Sequence, residues 1–95
     1  MEIWVIDGMI EYCGAIDLLD GCVCKNLEDA KKSFDLICSQ CKNEFVEFTV
    51  EENEDKNDDG ELLSVRSTIK SYNNHDIAMV RMSKFILPSE FLNSK

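Results

Sequence analysis

Apolar positions in this chain recur with a period of about two over most of its length, and with a helical period over one central stretch. Ile3, Trp4, Val5 and Ile6 form a continuous apolar run that predicts a first strand over residues 2–7, closed by Asp7 and Gly8. A second extended segment runs through Ala15 to Leu19 and on to Cys22, Val23 and Cys24, with Gly8, Gly14 and Gly21 marking turns or bulges. The period then changes. Leu27, Ala30, Phe34, Ile37, Cys38 and Cys41 follow one another at helical spacing, so residues 27–40 read as a helix with one buried stripe. Asn26 before it is a good N-cap, Glu28 and Asp29 suit the positive end of the helix dipole, and Glu28 can pair with Lys32 one turn on. Leu36 falls off the stripe and is expected to be partly exposed.

Beyond the helix the alternation returns. Val46, Phe48 and Val50 share one side of a strand over residues 45–50, opposite Glu47 and Thr49. Leu63, Val65 and Ile69 alternate with Ser64, Arg66, Thr68 and Lys70 in the next strand. Asn73, Asn74, His75 and Asp76 make a turn into a last strand over residues 77–87, which Pro88 ends, and residues 89–92 suit a short terminal helical turn. The expected fold is α+β: an antiparallel sheet of about five strands in the order ββαβββ, with one helix on a face and residues 1–95 as a single domain. At the usual scaling such a domain has a radius of gyration of roughly 12 Å. A chain of 95 residues that is 44% hydrophobic must bury most of its apolar side chains to offset the entropy of ordering.

Charge sharpens the picture. The chain carries a net charge of −9, and six of those charges lie in residues 51–61. That segment holds Glu51, Glu52, Glu54, Asp55, Asp58, Asp59 and Glu61 against a single base, Lys56, while the other 84 residues net only −3. Since two strands flank it, the segment is expected to be the long tip of a hairpin. A chain this acidic should avoid nucleic acid and anionic membranes. The longest apolar runs are four residues, far short of the roughly 20 that span a bilayer. The start of the chain lacks the pattern of a signal peptide, so a cytoplasmic location is expected.

Five cysteines stand at positions 13, 22, 24, 38 and 41, giving C-x-C and then C-x-x-C. On paper Cys22, Cys24, Cys38 and Cys41 could bind zinc or serve redox chemistry. The intervening helix, about 21 Å long, would separate Cys24 from Cys38 and Cys41, and the latter two lie on its apolar stripe. Buried structural thiols are therefore expected. The acidic segment carries part of a calcium-loop signature, Asp55-x-Asn57-x-Asp59-Gly60 with Leu62 following, but its closing position is Arg66 and not Glu. His75 is the only histidine and sits in a turn, no glycine-rich phosphate loop is present, and the carboxylates are concentrated where solvent keeps them ionised. No enzyme, cofactor or metal site is expected. Trp4 reads as core, Tyr12 is open to exposure, and Tyr72 continues the polar strand face of Arg66, Thr68 and Lys70.

Residues 1–6 and the stretch Gly21-Cys-Val-Cys-Lys-Asn-Leu-Glu-Asp-Ala-Lys-Lys-Ser-Phe34 resemble a group of small phage and bacterial proteins, most of them without an assigned activity. These pair an N-terminal apolar strand with a second strand and a helix opening Leu-Glu-Glu/Asp-Ala-Lys-Lys. The two cysteines of the second strand and the later acidic segment depart from that pattern. The resemblance implies a ββα start, and some phage inhibitors of bacterial defence look like this. Together with the acidity, it leads to the expectation of a non-catalytic inhibitor or immunity-type protein. Its carboxylates at 51, 52, 54, 55, 58, 59 and 61 would dock on a partner protein with a basic surface, such as a nucleic-acid-binding effector. The alternative is a cysteine-based zinc-binding or redox module.

Overall fold

The computed structural model describes residues 2–12, 14–72 and 76–87. It contains β1 (Glu2–Tyr12), β2 (Ala15–Cys24), α1 (Leu27–Lys42), β3 (Phe48–Lys56), β4 (Leu62–Ser71) and β5 (Ile77–Ile86). The five strands form one antiparallel sheet in the spatial order β2-β1-β5-β4-β3. The expected α+β class and ββαβββ order are therefore what the chain adopts. Cys13, the turn residues Asn73, Asn74 and His75, Pro88 and the helical turn expected over residues 89–92 lie outside the described residues.

The topology explains the helix. β1 and β2 form a hairpin at one edge, and α1 carries the chain across to the opposite edge, where β3, β4 and β5 return as a meander until β5 pairs with β1. Asn26 caps the helix as its sequence suggests: its Oδ1 accepts from the Asp29 backbone N–H at 2.8 Å and its Nδ2 donates to Asp29 Oδ2 at 3.1 Å. Ala30, Phe34, Cys38 and Cys41 are buried against Ile6, Ile10, Val65, Ile69, Ala78, Val80 and Met82, which come from β1, β4 and β5. Leu36 points away and is exposed, as its place off the stripe requires. Ser67 is only 2% exposed; it lies on the helix-facing side of β4 and hydrogen-bonds the Cys38 thiol, so the interface tolerates this hydroxyl.

Three boundaries differ from expectation. β1 does not close at Asp7–Gly8 but runs on to Tyr12, and Gly8 lies where the register with β2 shifts. A Cβ there would come within 2.7 Å of the Met79 backbone oxygen, so glycine permits close strand approach and does not make a turn. β3 begins at Phe48, three residues later than the alternation suggested; Phe45 is buried in the connection and Val46, 94% exposed, belongs to no strand.

The third difference matters most. Glu51 to Lys56 are not a hairpin tip. They are strand, paired with β4 from Glu51↔Thr68 to Lys56↔Leu62, and only residues 57–61 make the turn. β4 is a long strand that needs a partner along its whole length, and the ladder is indifferent to the side chains of an edge strand. Carboxylates that would be intolerable in a central strand are solvated at an edge.

The molecule is also wider and flatter than a 95-residue sphere, with a radius of gyration of 15.2 Å and extents of 49 × 33 × 20 Å. Among the described residues, one helix covers one face of the five-stranded sheet and nothing covers the other, the open face.

Candidate functional site

The acidic candidate residues occupy β3 and the turn after it. Strand alternation divides them. Glu52 and Glu54 stand opposite Ser67 and Val65 and so face the helix side, while Glu51 and Asp55 stand opposite Thr68 and Ser64 on the open face. Asp58 and Asp59 project from the turn. All six are exposed, and none makes an ion pair among the described residues. They form a two-sided rim of unneutralised carboxylate along one edge of the sheet. Charge at this position also blocks addition of further strands to the edge.

Glu61 is different. It accepts a hydrogen bond from Lys84 Nζ, whose side chain is 8% exposed, and Lys84 also pairs with Glu2 at 3.0 Å. The bonds from Lys84 and then Asn57 hold the Glu61 carboxyl below its usual range, and those from Glu61 and Glu2 raise Lys84. Of the seven carboxylates singled out in the sequence, this one is structurally engaged. Lys84 was not foreseen as its partner, since the two are 23 residues apart and only the fold places them together.

The turn itself is rigidly specified. Asn57 Oδ1 accepts from the backbone N–H groups of Asp59 and Glu61 at 3.0 and 2.9 Å, and Gly60 adopts φ +82°. The Gly60 N–H donates to the Asn57 carbonyl and the Asn57 N–H to the Glu61 carbonyl, which describes a three-residue hairpin loop closed by a left-handed glycine. The Asp55, Asn57 and Asp59 spacing of a calcium loop is thus present in sequence but spread over a strand end and a tight turn. Among the described residues, no three His, Cys, Asp or Glu side chains converge on a point that could hold a metal.

The same holds for the cysteines. Cys22 and Cys24 lie half-buried on β2, with Cys24 Sγ 3.8 Å from Ser33 Oγ, while Cys38 and Cys41 are buried in the last turns of α1. Burial pushes the Cys38 thiol up to about 11, and burial with the nearby Glu44 raises Cys41. Burial also raises Cys24. A thiolate nucleophile or metal ligand needs the opposite electrostatics. A cavity of about 560 Å³ between β2 and the end of α1 is bordered by Cys41, Glu44 and Asp20, and its lining holds no cation to activate the thiol.

The open face was not read from the sequence. Its β4–β3 half is polar, with Arg66, Thr68 and Lys70 beside Thr49, Glu51, Asn53 and Asp55. Its β2–β1–β5 half is apolar: Ile16, Leu18 and Val23 from β2, Ile3, Val5 and Met9 from β1, and Ile77, Met79 and Phe85 from β5. The signal was available in the pattern of β1 and β5, which have apolar residues at consecutive positions and so on both faces. Tyr72 lies just past β4 and is exposed, while Tyr12 packs partly against the core, its hydroxyl pKa raised by burial and by Glu44.

Compared with known proteins, the chain matches no family model, no curated protein and no solved structure. No helix among the described residues is long and apolar enough to cross a membrane.

Proposed function

We propose that this chain is a non-catalytic binding protein of the inhibitor or immunity type, whose acidic edge docks on a basic surface of a partner protein. The observation that supports this reading is the rim of six carboxylates, Glu51, Glu52, Glu54, Asp55, Asp58 and Asp59, that form no ion pair among the described residues, on a strand and a turn that are both held in place by backbone hydrogen bonds. Glu52 and Glu54, two apart on one face of the strand, are separated by about 6.7 Å, and Glu51 and Asp55, four apart on the other, by about 13 Å, so the strand presents these carboxylates at fixed intervals without a loop to order on binding. Such a rim steers association with a cationic groove of the kind that nucleic-acid-binding effectors expose. A phage protein directed against a host defence effector has this economy.

The test begins with capture of partners from cell extract by the tagged chain, with identification by mass spectrometry. The captured protein is then titrated against wild type and a variant with these six acids changed to Asn or Gln, Glu61 being kept because it holds Lys84. Association should slow for the variant, and wild-type affinity should fall as salt rises. Equal binding of both forms at low salt would remove the acidic edge from consideration.

A further inference from the structure

The apolar half of the open face is the other surface that no described residue covers. Three strands of about ten residues, at ~3.3 Å per residue and ~4.8 Å between strands, present about 480 Å². A monomer seldom exposes a contiguous apolar patch larger than a few hundred Å² unless it is used. Two such faces together bury about 950 Å² before side-chain relief is counted, close to the roughly 1,000 Å² that marks a specific interface.

Charge selects the occupant. Although the chain carries −9, this half-face holds only Asp7, Glu11 and Arg81, and Arg81 Nη2 donates to Asp7 Oδ2 at 3.2 Å. Its net charge is only −1, carried by Glu11, which is too little to recruit a strongly charged partner. The acidic strand β3 lies at the far edge of the sheet, four strands from β2. Two copies meeting through this half-face keep their acidic rims apart on the outside. Shape points the same way. Leu18, 83% exposed, stands at the rim of a depression of about 350 Å³ floored at Gly8, with Met9 and Met79 in its lining. A two-fold contact places knob and hollow on both copies at once, as an isologous interface requires.

We propose that the chain forms a homodimer by stacking the β2–β1–β5 halves of two open sheet faces, with the Leu18 side chains seated in each other's Gly8–Met79 depressions. The result is a two-sheet sandwich at the usual ~10 Å spacing, with helices outermost and both acidic edges free.

Sedimentation velocity of the full chain from about 1 to 200 μM tests this. A species of twice 10.9 kDa is expected at the upper concentrations. It should persist in high salt, because the contact is apolar. Leu18→Glu with Met79→Glu should raise the dimer dissociation constant at least ~100-fold, since both charges would be buried at the contact. Far-UV circular dichroism should show that the variant keeps its fold, its substitutions being on the uncovered face. The six-fold acid-to-amide variant should dimerise as wild type does, which separates this surface from the acidic edge. Wild type that stays at 10.9 kDa at 200 μM would overturn the proposal, as would a double variant that self-associates as strongly as wild type.

Discussion

Cys38 makes the fold sensitive to alkali in a way that can be measured. Its thiol is buried where α1 meets β4, 6% exposed, and its pKa is pushed from 9.0 to about 11, chiefly by that burial. The hydrogen bond with Ser67 opposes the shift only in part. The unfolded chain loses this proton near pH 9, whereas the folded chain keeps it until about pH 11. Between those values the folded state binds more protons, so stability falls as pH rises. The contribution is whole below pH 9; about 1.4 kcal/mol is lost by pH 10 and about 2.3 kcal/mol by pH 11. Cys41, Cys24, Tyr12 and Lys84 are raised as well and act with the same sign, so the wild-type decline is steeper still. Comparison with Cys38→Ala isolates the one thiol. The variant should be less stable at pH 8 by about 1–2 kcal/mol, from lost packing and from the unpaired Ser67 hydroxyl. In urea unfolding followed by circular dichroism, under reductant, that gap should shrink above pH 9 and be reversed by about pH 11, the variant then being the more stable form. A gap that stays constant from pH 8 to 11 would refute the reasoning.

Gly21→Ala should destabilise the chain by about 3 kcal/mol, because the new Cβ would collide with the Ile6 carbonyl oxygen in the β1–β2 ladder and a backbone atom cannot swing away. A urea midpoint unchanged from wild type would contradict that packing. Calcium titrated by calorimetry at physiological salt should bind no tighter than about 10⁻⁴ M, since Asn57 Oδ1 is committed to the turn and Arg66 stands at the closing position. A micromolar constant abolished by Asp55→Ala would show the carboxylates to be better placed than this.

What could be read from the sequence was local. Asn26 before a 3.6-residue stripe determines where α1 starts and which side it buries, because the cap bonds and the helical period each involve residues only three or four apart. The alternation of Val65 and Ile69 with Arg66 and Lys70 fixed the two faces of β4, and Asp58-Asp59-Gly60 after Asn57 specified the turn. The acidic residues themselves were legible, but not their conformation. Whether Glu51 to Lys56 are loop or strand depends on the length of β4 opposite them and on β3 lying at an edge, and neither is encoded in their own side chains. The engagement of Glu61 by Lys84 likewise waits on β4 and β5 being neighbours. The open face is the clearest case. Composition argued that most apolar residues would be buried, yet the single helix of 16 residues among the described residues cannot cover both faces of a five-stranded sheet. Leu18, Val23 and Phe85 are therefore left exposed by the count and order of elements, a property of the tertiary structure that no local pattern carries.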